Sequence, residues 1–312
     1  MGKISEALEK SSQWKNESET PADSKQRRET LNRESKPHRT EPLISAHSPS
    51  PVAIEQAQVE SAFDATPRHR TASYRSDRID PNLVVLSKPH TYETEQFRML
   101  RTNILFPPQG GKPRRSIMIT SAAPEDGKSF VAVNLALSIS QNIDKHVMLI
   151  DCDMRRPRVH TMLGYGAVPG LSDYLTTGKP LSQLLLRTVS ERLTILPGGQ
   201  TPPNPAELLT SNRMAALLQE VTKRYSDRFI IIDSPPPHLT AESNALARLV
   251  DGVILVVRIG SSSKKSTSEL VQKIGPPNII GVVCNSVGNR MLNYYGRGKY
   301  ASYSQYYGKH DE

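Results

Sequence analysis

Cysteine, tryptophan and long apolar runs are all scarce in this chain. Its two cysteines, Cys152 and Cys284, are too few for a disulfide framework or a structural metal site. Both fall in apolar, strand-like runs, so they read as inert core thiols of a reducing compartment. No stretch reaches the ~20 consecutive apolar residues that a membrane-spanning helix needs. No basic, apolar, small-residue leader opens the chain. Met1-Gly2 invites acylation, but Glu6 stands where that signal wants Ser or Thr. The expected location is the cytoplasm. Nucleic-acid motifs are absent too, although the formal net charge is +9. Residues 1–90 hold 14 basic and 13 acidic side chains, so the excess lies later in the chain. A nucleotide site, an assembly face or a membrane-facing rim would each use it.

The 312 residues divide unevenly. Met1, Ile4 and Leu8 share one face of a short helix, which is marginal alone because nucleation is costly below a dozen residues. It is either a docking helix or a frayed terminus. From Ser11 to about Asp80 the chain is rich in Ser, Pro, Glu, Arg and Gln. Such a composition buries too little apolar surface to offset its ordering entropy, so residues 1–80 read as a disordered tether. Order is expected from about Pro81, with Leu83–Leu86 and then a helix from about Tyr92 to Leu105. Residues 81–287 form the folded domain and residues 288–312 a tail.

What organises the folded part is Ser116–Ser129. A β-branched run, Ile117 to Thr120, passes through a short turn into Gly127-Lys128-Ser129 and then into a helix-length apolar segment. Backbone N–H groups at a helix start hold phosphate, a lysine reaches the β/γ-phosphates and a hydroxyl ligates Mg²⁺. The match deviates from the common pattern: Ala122 and Glu125 stand where variants of this loop carry glycine. A second apolar strand ends in Asp151-Cys152-Asp153, followed by Arg155, Arg156 and Arg158. A third, from Phe229, ends in Asp233-Ser-Pro-Pro. Acidic residues at carboxyl ends of parallel strands sit where open α/β sheets bind ligands, and can hold Mg²⁺ through water or accept a proton. The arginines either neutralise phosphate charge or solvate a loop. Later strands at Leu193–Leu196, Gly252–Val257 and Ile279–Asn285 alternate with helical segments. This predicts an α/β fold, a P-loop NTPase with a parallel sheet covered by helices on both faces.

On these three motifs the sequence resembles the bacterial tyrosine kinases of capsule and exopolysaccharide synthesis, in particular the stand-alone, exosortase-associated form. The resemblance covers about residues 88–312, and the family's Walker A, A′ and B motifs are matched by Ser121–Ser129, Val147–Asp153 and Phe229–Asp233. It implies a SIMIBI-like P-loop fold with a deviant Walker A motif. It further implies ATP held by Ala123, Pro124, Glu125, Asp126, Gly127, Lys128, Ser129, Phe130, Arg155 and Asn285, although Asn285 reads equally as a turn residue. Lys128, Asp151, Asp153 and Asp233 take the catalytic roles, and Mg²⁺ goes to Ser129 with Asp151 and Asp233. Glu95-x-x-Arg98-x-x-Arg101 matches the family's subunit-contact motif of a ring-shaped octamer; by spacing alone it is a charged helical stripe.

The tail carries Tyr294, Tyr295, Tyr300, Tyr303, Tyr306 and Tyr307, six of the chain's eleven tyrosines. They lack the aliphatic neighbours of a core. The family's C-terminal tyrosine cluster is its autophosphorylation substrate. The expected partners are the cytoplasmic end of a membrane-embedded polysaccharide co-polymerase, a tyrosine phosphatase and other copies of the chain. Recruitment to the inner face of the plasma membrane follows through the first of these.

Two other classes share part of this pattern. Positioning ATPases carry an additional lysine five residues before the P-loop lysine, where this chain has Ala123. A catalytically weak regulatory subunit would follow if the carboxylates of Glu125 and Asp126 lowered ATP affinity.

Overall fold

The computed structural model describes residues 74–107, 113–224, 228–235 and 242–287. The first ten residues, most of the expected tether and the whole tyrosine-bearing tail lie outside the described residues. In chain order the elements are β1 (Tyr74–Ile79), α1 (Val84–Ser87), α2 (Tyr92–Leu105), β2 (Ser116–Ser121), α3 (Lys128–Ser140), β3 (His146–Asp151), α4 (Val159–Met162) and β4 (Leu163–Tyr165). There follow α5 (Leu171–Thr177), β5 (Leu186–Arg187), β6 (Leu193–Leu196), α6 (Pro205–Leu209), α7 (Asn212–Arg224), β7 (Arg228–Asp233), α8 (Glu242–Ala247), β8 (Gly252–Arg258), α9 (Lys264–Ile274) and β9 (Ile279–Asn285).

Seven strands form one sheet in the order β5-β6-β3-β7-β2-β8-β9. Every pairing is parallel except β5 with β6, so the sheet is mixed at one edge. Side chains alternate across it, and the period-two pattern separates two cores. Ile117, Ile119, Leu149, Ile231 and Ile254 face one layer, with Val131 and Leu135 of α3 and Phe97 of α2. Met118, Met148, Ile150, Ile232 and Leu255 face the other, with Leu217, Leu218 and Val221 of α7 and Leu270 of α9. Burial on this scale is the main favourable term, at roughly 1.5–3 kcal/mol per large aliphatic side chain. α3 is apolar nearly all round, and from Val131 to Ser140 each of its residues is buried, as a helix in that position must be.

The topology sets the site. β2 lies between β7 and β8, while β3 lies beyond β7, so the chain leaving β2 crosses over a strand before returning. Ligands in open parallel sheets bind at such a reversal, outside the carboxyl ends. There the register puts Asp151 opposite Asp233, and Asp233 opposite Ile119, two residues before the turn into α3.

Three differences from the sequence reading stand out. The described residues begin at Tyr74, inside the stretch read as tether, with a strand paired antiparallel to β4 outside the main sheet. That strand, Tyr-Arg-Ser-Asp-Arg-Ile, has too few apolar residues to announce itself. Leu83–Leu86 becomes the start of a one-turn helix, with Leu83 and Val85 buried. Cys152 is fully buried, and burial pushes its thiol well up, whereas Cys284 is exposed. The reason is that β9 is an edge strand with only partial cover, so its apolar run does not make it a core strand.

Candidate active site

The turn between β2 and α3 is held from inside and from two neighbouring elements. The Ser121 hydroxyl donates to the Ala123 carbonyl at 2.7 Å. Asp126 is buried and both of its carboxylate oxygens are engaged, one by the Ala123 N–H at 3.1 Å and the other by the Ser262 hydroxyl at 2.8 Å. The Asn285 carboxamide donates to the Asp126 carbonyl at 2.8 Å and accepts from the Ser286 N–H at 2.9 Å. Gly127 has φ +97°, and a Cβ there would stand 2.1 Å from Asn285 Nδ2. The fit therefore demands glycine twice over, for backbone conformation and for space.

Past this turn, Lys128 and Ser129 open α3, where N–H groups and the helix dipole favour an anion. They line a cleft of about 1150 Å³ together with Pro124, Glu125, Gly127, Phe130, Asp153, Arg155 and Asn285. The cleft thus gathers most of the residues expected to hold a nucleotide. Ala123, Asp126, Asp151 and Asp233 are not on its wall.

The aspartates fall into different roles. Asp151 Oδ1 accepts from the Asp153 N–H at 3.1 Å, and Oδ2 accepts from Arg158 at 3.1 Å and Val159 at 3.2 Å. All three donors are backbone, so this carboxylate shapes the loop after β3 and caps the start of α4. Burial first, then the Asp233 charge, pushes its pKa well up. Asp153 accepts from the Arg156 N–H at 3.2 Å. Its pKa is raised by burial against the pull of the Lys128 charge.

Asp233 is the exceptional member. It is fully buried, and neither oxygen has a hydrogen bond of normal geometry among the described residues. The Ser129 hydroxyl and the Lys128 charge stand near enough to pull its pKa down, yet burial outweighs them and raises it to about 7. A buried carboxylate without donors is costly. What would satisfy it is a cation with its water shell, beside the Ser129 hydroxyl at the start of α3. No group of three His, Cys, Asp or Glu is arranged to hold a metal by itself among the described residues. The donor set fits an ion carried in with phosphate, held by Ser129 and by water reaching Asp233.

Arg155 pairs with Glu242 at 3.0 Å, and Glu242 is fully buried. Glu242, Ser262, Arg78, Asp80 and Asn82 were not legible as site residues. Each is brought in by tertiary packing from a segment without a motif of its own.

Comparison with known proteins follows from this geometry. The chain is 33% identical over 230 residues to the tyrosine-protein kinase YwqD of Bacillus subtilis, covering 73% of this chain and 94% of that protein. The chain belongs to the bacterial tyrosine kinases. It is also 33% identical over 220 residues to the tyrosine-protein kinase wzc of Salmonella typhimurium, where it spans 30% of a longer protein. Among solved structures, the kinase domain of the Escherichia coli tyrosine kinase ETK superposes with a TM-score of 0.62 at 30% identity, covering 75% of this chain and 94% of that one. The chimerical protein CapA2B2 gives 0.61 at 32%, covering 68% and 93%. No family model matches the chain.

Within this kinase the expected subunit-contact motif lies on α2. Arg98 pairs with Glu95 at 2.9 Å and donates to the Pro89 carbonyl at 3.0 Å. Arg101 donates to the Ser138 carbonyl at 2.9 Å, in the last turn of α3, where a helix dipole favours a cation. Burial lowers its pKa. Each motif residue therefore already has a partner within the chain. No helix among the described residues is long and apolar enough to cross a membrane.

Proposed function

We propose that the chain is an ATP-dependent protein-tyrosine autokinase that phosphorylates its own C-terminal tyrosines and thereby regulates exopolysaccharide or capsule polymerisation and export. The observation that carries the reading is the grouping of Lys128, Ser129 and an unsatisfied buried Asp233 at the sheet's carboxyl end, in a chain related to named tyrosine kinases. A magnesium nucleotide, when bound, supplies the transferable phosphoryl group and the counter-charge for it.

The positions of the residues support the following roles. Lys128 and the first N–H groups of α3 bind and orient the terminal phosphates. Ser129 would hold the ion directly and Asp233, in its ionised form, would hold it through water. Asp153 lies on the cleft wall and takes the proton of the incoming phenol, whose pKa near 10 makes such an acceptor useful. Asp151 is a positioning residue, because its oxygens are committed to three backbone N–H groups. Arg155 lies on the cleft wall with its charge balanced by Glu242.

The acceptors are Tyr294, Tyr295, Tyr300, Tyr303, Tyr306 and Tyr307. At roughly 3.3–3.6 Å per residue, a tail of two dozen residues spans about 80 Å, enough to reach its own or a neighbour's cleft. Tethering raises the acceptor's effective concentration, and positioning supplies most of the rate. An octameric ring through Glu95, Arg98 and Arg101 would place such neighbours. Activation would come from the cytoplasmic end of a membrane-embedded co-polymerase, which also recruits the chain to the membrane's inner face, and a tyrosine phosphatase would reset the tail.

A positioning ATPase is the less favoured reading. Its additional lysine is missing at Ala123, and the curated relatives are named as tyrosine kinases. The deciding experiment incubates the full chain with ATP and Mg²⁺, with and without the partner segment, and maps phosphotyrosine by mass spectrometry. Modification of the C-terminal cluster, lost in Lys128→Met, is the expected result. Release of inorganic phosphate with no phosphotyrosine under either condition would overturn the reading.

A further inference from the structure

The cleft is walled on one side by a segment that precedes the kinase core. Arg78, Asp80 and Asn82 line it together with Lys128 and Asp153. They belong to β1 and the turn after it, outside the seven-stranded sheet.

This strand is fastened at several points. Tyr74 pairs with Tyr165 and Ile79 with Leu163. The Asp80 N–H donates to the Met162 carbonyl at 2.9 Å. Just beyond, the Val85 N–H donates at 3.2 Å to Oδ1 of Asn134, a fully buried residue of α3. Gly164 is built for the contact: it has φ +83°, and a Cβ there would meet the Arg75 carbonyl oxygen at 2.5 Å. β4 follows α4 directly, and α4 starts on the N–H groups held by Asp151. The strap is therefore joined both to the loop after β3 and to the helix that carries Lys128.

Its charges are sorted. Arg75 is paired with Asp77 at 2.8 Å. Asp80 is engaged by the Asn82 backbone and side chain at 2.8 and 2.9 Å. Arg78 makes no hydrogen bond or ion pair through its guanidinium among the described residues, and it is the strand's charged contribution to the cleft wall. The wall carries five basic side chains against three acidic ones. Of the five, Arg155 is neutralised by Glu242. An unpaired guanidinium facing a helix-start anion site is suited to phosphate oxygens.

We propose that β1 is a strap over the nucleotide site and that Arg78 binds the phosphates held by Lys128, so that the segment before the kinase core completes the site in cis. The inference rests on the nucleotide-binding reading above and names a binding residue that none of the three motifs contains. A two-stranded ribbon is marginal by itself, so an anion gripped by Arg78 also stabilises the pairing of β1 with β4.

The test uses the full chain. ATP affinity is measured by calorimetric titration in Mg²⁺ for the parent and for Arg78→Lys, Arg78→Ala, Arg78→Glu, Gly164→Val and Arg75→Ala. Amide hydrogen exchange of residues 75–79 is followed with and without ATP. A charge-assisted contact at a half-open rim predicts about tenfold weaker binding for Arg78→Ala, less loss for Lys and more for Glu. Gly164→Val should match Arg78→Ala by detaching the strap, and Arg75→Ala should bind within about twofold of the parent, a span that is only a fraction of the 1.4 kcal/mol per tenfold. ATP should slow exchange in β1 of the parent but not of Arg78→Ala. Equal affinity in Arg78→Ala and the parent, or equal loss in Ala and Glu, overturns the proposal while leaving the kinase reading intact. A parent chain that binds no ATP would sink both.

Discussion

Glu125 has φ +64°, in the left-handed region where a side chain costs roughly 1 kcal/mol. It is exposed at the lip of the cleft, and its carboxylate repels whatever anion Lys128 holds. Glu125→Gly relieves the backbone and removes the charge. Nucleotide binding should tighten several-fold, most clearly at low ionic strength, with thermal stability unchanged or slightly higher. Titration at two salt concentrations checks this; unchanged affinity at both would mean the charge is fully solvated. Asp126, its neighbour, is a different case. Sequence alone put both carboxylates beside the phosphates, but Asp126 is turned into the loop. Nothing in the local sequence distinguishes the two, because the partner of Asp126, Ser262, is 136 residues away.

Asp233 gives the pH dependence at this scale. Its folded pKa, about 7, is above the usual carboxylate value of about 4. Between those values the native state keeps a proton that the unfolded chain has released, so stability falls as pH rises, and it levels off above about 7. Asp151 acts in the same direction. The ligand-free protein should therefore melt higher at pH 5.5 than at pH 8, to the extent that other carboxylates do not oppose it, and Asp233→Asn should flatten the difference. Binding of a magnesium nucleotide wants the ionised form, so affinity should rise with pH up to about 7 in the parent and lose that rise in the variant. Melting curves and titrations across that range check both signs.

At the scale of elements, the P-loop depends on β8 and β9 as much as on its own sequence. Ser262 from the turn after β8 and Asn285 at the end of β9 hold the two sides of Asp126. Gly127 gives β9 room to approach. Asn285, expected to hold ATP or to be a turn residue, has its carboxamide engaged by the loop and by Ser286. Asp126→Ala leaves a buried N–H and a hydroxyl without their acceptor, a loss of about 2 kcal/mol. For a domain of this size that is a fall of roughly 4–8 °C in Tm, accompanied by at least tenfold weaker nucleotide binding. Asp126→Asn keeps an acceptor and should recover most of the stability. If Ala and Asn melt alike, the loop is held by something other than these bonds. The strands at the sheet's centre were legible because they are unbroken apolar runs, but their order in the sheet is set by packing and was not read from the motifs. β1 was not, since its stability comes from pairing with β4 and from Gly164 rather than from any apolar face of its own.

For the molecule as a whole, the folded part was readable from composition, because burial leaves its mark on residue usage; most of the polar N-terminal stretch and the aromatic tail lie outside the described residues. What composition could not reveal is that the end of the polar stretch belongs to the active cleft. The tail carries four Lys or Arg against two Asp or Glu, and the cleft wall carries five basic side chains against three acidic ones, so on the autokinase proposal Asp153 and Glu125 are what would attract the unmodified tail. Each phosphate adds about −1.5 to −2, and six of them reverse that charge several times over. On the autokinase proposal the phosphorylated tail would be repelled by Asp153 and Glu125, and a ring that depends on its neighbours' tails would loosen. The counter-force is Arg156 and Arg158 on the cleft wall, whose guanidinium groups would retain phosphotyrosine. The balance is read by sedimentation: the fully phosphorylated chain should dissociate relative to a variant with all six tail tyrosines changed to Phe, and high salt should narrow the gap between them. Identical sedimentation of the two would show that the arginines win, and that tail charge does not control assembly.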